Sequence, residues 1–388
     1  MNEQLSIQEI MDTSCFFLLS MYTCRLPNVI PYDMIYSRVL LYGVVGMAIN
    51  GSGRVTLKDI AEQCGYTANT VSRALRGDKK LPENTRLTIQ RVAREMGYVP
   101  NSSARALRYG SSHTIAVIIN DITNPYYSNM LSQIDQLLKG KKYRTMILCT
   151  QLDEDLASEM IQLAISQQVD GILFFPFNNA QHIRELHASG IPFVMIDRWI
   201  PHVEADIARI DDFAAGYAMV RHLLELGHRH FLYMAGPFVN SSQVDRQNGI
   251  NQALQDAGLD LKNHLRILPW DSIPDEPSPA EVIELLRPFD YTAIVSFNDV
   301  RAYHAMNALY TAGLRVPEDI SIVGIDHIRW RNTYLPPLSS ITVDGQNVAS
   351  AAINLLFDRI DQPDLPFRHQ ILPVRLHLDG TTQAVQIA

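Results

Sequence analysis

The run TANTVSRAL, residues 67–75, holds residues with the chemistry to read a base pair. Ala68, Asn69 and Arg73, with Thr70 and Ser72 between them, would share the outer side of a helix opened by Thr67. An asparagine amide can pair bidentately with adenine, and an arginine with guanine or a phosphate, so this surface suits the major groove. A second set of candidates ends the apolar runs further on: Asn120 to Tyr127, Asp197-Arg198, Pro237 to Arg246, Asn298-Asp299 and Asp326. Taken singly, each reads as a solvated loop residue. Recurring at strand ends, where open α/β sheets bind ligands, they read as a site. Motifs of catalysis are missing: the sequence has no G-x-S-x-G, Walker A loop, G-x-G-x-x-G or H-E-x-x-H. Its twelve histidines, His228 and His230 among them, have no evident acid or nucleophile partner. No catalytic residue, metal ligand or cofactor is therefore expected.

Short helices must position the first set. Thr56 is a good N-cap with Asp59 three residues on, close to a capping box. Leu57, Ile60 and Ala61 then share a helical face, and Gly65 can end the helix in a left-handed conformation. Thr67 caps a second helix with Val71, Ala74 and Leu75 inside. Pro82 and Glu83 open a third, whose Leu87, Val92 and Met96 would brace the other two. Periodicity alone fits a helix-turn-helix and an ordinary three-helix bundle equally well.

Charge supports contact with nucleic acid at this end. Residues 54–110 carry eleven Lys and Arg against five acids, while the whole chain has a net charge of −8. A basic module on an acidic body is the asymmetry expected of such contact. Cys15, Cys24, Cys64 and Cys149 show neither disulfide nor zinc spacing, which suits a reduced, cytoplasmic protein. Residues 1–53 fit nothing that follows. The apolar runs 15–22 and 39–49 are far shorter than the roughly 18 residues of a membrane span. Glu3, Glu9 and Asp12 stand where a signal peptide needs positive charge. The segment is either an extension with its own partner or the product of an upstream start, Met47 being the working one.

From Ile115 onward strand and helix alternate. IAVIIND, TMILCT, GILFFP, IPFVMID, FLYMAGP, AIVSF and ISIVGID read as strands, separated by amphipathic runs such as MLSQIDQLLKGKKY and GINQALQDAG. Continuous apolar strands between helices predict a parallel sheet covered on both faces. The number of units predicts two doubly wound halves.

The motifs TLKDIA, GYTANTVSRAL and GYVPNSSARAL are long, ordered and correctly spaced, and they resemble the headpiece of the LacI/GalR family of transcriptional regulators. NPYY (124–127), LGHR (226–229), AGP (235–237), SFND (296–299), GLRVPEDISIVGID (313–326) and PPLSSI (336–341) extend the resemblance over nearly everything after residue 53. It implies an all-α helix-turn-helix headpiece (54–100), a hinge helix (101–110) and an α/β periplasmic-binding-protein-like domain of two doubly wound subdomains (111–388). The first subdomain would span about 113–211 and 342–361, the second about 212–341 and 362–388. Ala68 and Asn69 match the positions that choose operator bases, and Arg73 a base or phosphate contact. Thr56, Thr67, Thr70 and Ser72 match positions near the phosphate backbone. Asn101, Ala104, Arg105 and Leu107 match the hinge helix, Leu107 being the wedge inserted between base pairs in the minor groove.

The same match puts Tyr126, Tyr127, Asp197, Arg246, Trp270, Asn298 and Asp326 around an effector, a sugar or sugar derivative being expected ahead of a purine or nucleoside, with Trp270 covering the ring. The implied partners are pseudo-palindromic double-stranded operator DNA, a small-molecule effector and a second copy of the chain, with no membrane. The segment Met130 to Leu138 and the helix around Ala312 are candidate dimer pieces. Two rivals stand beside this regulator: a receptor that binds a sugar without regulatory DNA binding, and a sugar-acting enzyme.

Overall fold

The computed structural model describes residues 55–98, 110–272, 278–288, 290–329, 336–343, 345 and 347–385. The expected extension and the hinge residues Asn101, Ala104, Arg105 and Leu107 lie outside them. The chain divides into two compact units that meet in sequence between residues 99 and 100.

Three helices make the first unit: α1 (Leu57–Cys64), α2 (Ala68–Leu75) and α3 (Glu83–Glu95). The Thr56 hydroxyl accepts from the Asp59 backbone N–H, and the Asp59 carboxylate accepts from the Thr56 N–H at 2.7 Å, a full capping box. Gly65 closes α1 at φ +70°, a conformation that glycine adopts without a Cβ penalty. Thr67 caps α2 by accepting from the Thr70 N–H. Ile60, Ala61, Val71, Ala74, Ile89 and Ala93 form the core. Leu87 was expected in that core and is instead 51% exposed. The buried face of α3 runs through Ile89 and Ala93, with Val92 and Met96 at its border.

The second unit holds two six-stranded sheets. The first half comprises β1 (Thr114–Ile119), α4 (Pro125–Gly140), β2 (Arg144–Cys149), α5 (Glu154–Ser166), β3 (Gly171–Phe174), α6 (Ala180–Ser189), β4 (Phe193–Ile196) and β5 (Asp206–Ile210). The second begins with α7 (Asp212–Glu225), β6 (Phe231–Met234), α8 (Ser241–Asp256), α9 (Leu261–His264) and β7 (Leu265–Leu268). It continues with α10 (Pro279–Leu286), β8 (Ala293–Ser296), α11 (Asp299–Thr311), β9 (Ser321–Ile325) and β10 (Ser339–Val343). The chain then returns through α12 (Val348–Asp361), β11 (His369–Leu372) and β12 (Val374–His377).

The sheet orders are β11-β5-β4-β3-β1-β2 and β12-β10-β9-β8-β6-β7, all pairs parallel except β10 with β12. In the first sheet Ile115 stands opposite Gly171 on one side and Thr145 on the other. The central strands β3, β4, β6 and β8 are buried along their whole length, which is why they read as unbroken apolar runs. The chain returns to the second half later than expected. β11 pairs with β5, so 369–372 belong to the first sheet and not to the half assigned 362–388. In α4, Met130, Leu131, Ile134 and Leu138 pack into the first core. The apolar face of that candidate dimer segment is thus already covered, whereas Ala312, after α11, is exposed.

Two glycines bring α7 and α8 into backbone contact. A Cβ on Gly216 would stand 2.1 Å from the Arg246 carbonyl oxygen, and one on Gly249 2.1 Å from that of Phe213. Backbone cannot yield as a side chain can, so Gly249→Ala is expected to push the helices apart and destabilise the unit by about 2 kcal/mol. Urea unfolding followed by circular dichroism checks this; an unchanged midpoint would show that the crossing is not tight.

Candidate nucleic-acid interface and ligand cleft

The capped start of α2 presents the predicted reading surface. Ala68 and Asn69 are exposed in its first turn, as are Thr56 and Thr67, while Thr70, Ser72 and Arg73 are half-buried. Arg73 is held in place: its Nε donates to Asp78 Oδ2 at 2.8 Å. The Lys80 backbone N–H and the Arg73 guanidinium hold the Asp78 carboxyl below the usual carboxylate range.

The second unit contains a cleft of about 470 Å³, lined from both halves. Asp197 and Arg198 follow β4, Phe297 and Asn298 follow β8, and Asp326 follows β9, so the carboxyl ends of both sheets face one space. Tyr126 and Tyr127 enter on the first turn of α4, where Pro125 sits at a position that needs no N–H and Asn124 caps by accepting from the Tyr126 N–H. Asn298 does the same for α11, accepting from the Arg301 N–H at 3.0 Å.

Charge organises the floor. Arg246 of α8 is buried; its Nε donates to Asp212 Oδ1 at 2.7 Å and its Nη1 to the Phe297 carbonyl at 2.6 Å. The guanidinium also lies 4.4 Å from the Phe297 ring centre. Burial opposes its charge, but the Asp212 and Asp326 carboxylates outweigh that and raise its pKa. Burial raises Asp212 as well, against the pull of Arg246. Tyr126 donates its hydroxyl to Asp197 Oδ1 at 2.6 Å. Burial pushes the Asp197 carboxyl up to about 6 even so, with the Tyr126 hydrogen bond and Arg198 holding it back. Asp326 rises well above the ordinary value through burial and the repulsion of Asp299, Asp197 and Asp212, with Arg246 acting against them. Asp197 and Asp326 sit at φ +70° and +111°, in the positive range that few non-glycine residues adopt.

Beneath the cleft, Asp299 is fully buried. Its Oδ1 accepts from the Ser340 hydroxyl and its Oδ2 from the Ile328 N–H, both at 2.7 Å, so it ties the loop after β9 to β10. The rim is bridged between halves. The Trp199 backbone N–H donates to Ser241 Oγ at 2.9 Å, and its indole N–H to Asp245 Oδ2 at 3.1 Å.

Six of the seven expected effector residues come together here: Tyr126, Tyr127, Asp197, Arg246, Asn298 and Asp326. Trp270 does not. The Arg301 guanidinium lies 3.5 Å from its ring centre, and the indole meets Phe297 edge-on at 6.0 Å, so it stands behind the lining with one face taken. Phe297, Ile210, Ile325 and Ile341 supply the apolar wall instead. Asp212 and Phe297 escaped the sequence reading. The signals for them were the acid pair Asp211-Asp212 opening a helix and the aromatic just before Asn298. Among the described residues no cluster of metal-ligating side chains occurs, and no helix is long and apolar enough to cross a membrane.

A helix-turn-helix unit followed by a two-sheet body with a polar, ligand-sized cleft defines a ligand-responsive DNA-binding regulator. Residues 56–101 match the family model for bacterial regulatory proteins of the lacI family, and 220–382 that for a periplasmic binding protein-like domain. The HTH-type transcriptional regulator DegA of Bacillus subtilis (strain 168) is 30% identical over 292 residues, 74% of this chain and 86% of DegA. The HTH-type transcriptional repressor PurR of Haemophilus influenzae (strain PittEE) is 28% identical over 80% of this chain and 92% of its own length. Among solved structures, the complex of the transcriptional regulator CelR with cellobiose is 25% identical, with a TM-score of 0.61, covering 84% of this chain and all of CelR. The chain belongs to the LacI family: it is a transcriptional regulator, not an enzyme.

Proposed function

We propose that this regulator binds a two-fold symmetric operator as a homodimer and that a sugar-class ligand in the cleft sets its affinity for DNA. One observation carries the ligand half: carboxylates, an amide and a guanidinium from both sheets converge on one cavity with an apolar wall, the make-up of a polyol site. The cellobiose held by CelR supports the same class. Ala68 and Asn69 read bases, while Thr56, Thr67, Thr70, Ser72 and Arg73 set position on the backbone or at a neighbouring base. The expected hinge residues, Asn101, Ala104, Arg105 and Leu107, complete the contact in the minor groove. A ligand can alter operator affinity only by binding one state of the cleft better than another, and the bridges from Trp199 to Ser241 and Asp245 are contacts that opening would break.

Selection of duplex DNA by the purified chain, with and without a panel of sugars, tests the reading. A palindrome whose recovery a sugar changes is the expected result; no enrichment of any sequence would overturn it. Within that system Asn69→Ala is expected to change base preference while leaving the dependence of affinity on salt nearly as it was, since no phosphate contact is removed. A changed salt slope with unchanged preference would place Asn69 on phosphate.

A further inference from the structure

The end of α2 carries an ion pair where an apolar contact is usual. Gly77, at φ +76°, lets the chain turn back. Its N–H then donates to the Ala74 carbonyl, and the Asp78 N–H to that of Arg73. This is a Schellman closure, in which side chains at the places of Arg73 and Asp78 commonly meet as two hydrophobes. Here the Arg73 Nε donates to Asp78 Oδ2 at 2.8 Å. The other oxygen, Oδ1, accepts from the Lys80 backbone N–H at 2.9 Å, so the turn fixes the carboxylate from its far side.

The carboxylate in turn fixes the guanidinium. Among the described residues Asp78 is the side-chain partner of Arg73, and it takes Nε alone. The Nη1–Nη2 edge stays open on a side chain that is 35% exposed. Arg73 follows Asn69 by four residues, so the two share one face of α2. A planar edge of donors matches O6 and N7 of guanine, whereas a phosphate accepts a guanidinium from many directions. An unrestrained arginine must give up its rotamer freedom to hold that match; Arg73 has given it up before DNA arrives.

From this geometry we propose that Asp78 is a positioning residue for sequence specificity: it aims Arg73 at a guanine edge and keeps it off the phosphates. The proposal rests on α2 reading operator bases. Asp78 acts only through Arg73, and its own charge repels a phosphate that comes near.

The test selects a palindrome from random duplex DNA with the full chain. It then measures the affinity of each single-base variant of that palindrome over a salt series. Asp78→Ser is the informative variant, since a serine hydroxyl can still accept from the N–H two residues on and is too short to reach Arg73. Arg73→Ala and the double variant complete a cycle, and circular dichroism confirms that each headpiece is folded. The unsubstituted chain is expected to prefer guanine about tenfold at one position of each half-site, and Arg73→Ala to abolish that preference. Asp78→Ser should cut it to within about threefold at that position alone. The released arginine then takes a phosphate, which steepens the salt slope by about one for each half-site. The double variant should match Arg73→Ala.

An unchanged guanine preference in Asp78→Ser overturns the proposal. So does a parallel loss at every position, which would make Asp78 a part of the turn and nothing more. Higher affinity at unchanged preference overturns it as well, since Asp78 would then compete with DNA for Arg73. Each of these leaves the operator reading standing, as does an Arg73→Ala variant that keeps every preference and so removes the arginine on which Asp78 is proposed to act. No enrichment of any sequence removes both.

Discussion

Arg246→Met is expected to destabilise the second unit by about 3–5 kcal/mol and to abolish the response to any ligand of the cleft, because it removes one partner of a buried ion pair. The side chains of Arg246 and Asp212 are 9% and 1% exposed, so solvent screens the pair little. Without the guanidinium, Asp212 keeps its burial and loses its strongest stabiliser, the Phe297 carbonyl loses a donor, and the Phe297 ring loses its cation. Part of the damage arises from the stranded charge and not from lost contacts. Adding Asp212→Asn should therefore recover more than 1 kcal/mol, while ligand response stays absent. Urea unfolding of the two variants separates these terms. A single variant within about 1 kcal/mol of the unsubstituted chain would mean that Asp212 protonates at little cost and that the pair serves recognition alone.

Local rules carried the reading furthest where structure is local. Thr56 with Asp59, Gly65 and Thr67 each act within a few residues, and each forms the cap or terminus that its type suggests. Leu87 shows the limit: three short helices share one small core, and α3 meets it through Ile89 and Ala93, a phase set by the neighbouring helices that no window on α3 alone reveals. In the body, strands buried on both faces are legible as apolar runs. β5 (DIARI), β7 (LRIL), β11 (HQIL) and β12 (VRLH) mix polar and apolar residues, lie toward the sheet edges and give no such signal. That β11 joins the first sheet is a matter of tertiary pairing and leaves no trace in four residues.

The cleft divides in the same way. Asp197, Asn298 and Asp326 stand at strand ends, where topology alone makes a polar residue suspect. Trp270, implied by resemblance, is not among the residues that line the cleft, and the Arg301 guanidinium lies over one of its faces. Gly216 and Gly249, which let α7 and α8 meet closely enough for Arg246 to reach Asp212, are ordinary helical glycines until the crossing is seen.

Asp299 offers the second large effect, and its sign is set by burial. The carboxyl is pushed from the ordinary 3.8 up to about 7 by burial, against hydrogen bonds from Ser340 and the Ile328 N–H. An acid with a higher pKa folded than unfolded holds its proton more tightly in the native state. It therefore favours folding fully only below the ordinary value; that contribution drains away as pH rises to about 7 and changes no further above it. Asp299→Asn removes the titration while an amide can still accept from Ile328 and donate to Ser340. The variant should gain on the unsubstituted chain as pH rises from 5 to 8, by on the order of 3 kcal/mol. Histidines whose pKa is lowered by burial, such as His228 and His304, add a slope of opposite sign, but it is common to both proteins and cancels in the difference. Urea midpoints across that range measure the gain, and parallel curves would mean that Asp299 is ionised at ordinary cost. If the gain is found and ligand response falls with it, the buried charge is kept at the expense of stability. Its return is the loop after β9, which it fixes through Ile328 beside Asp326.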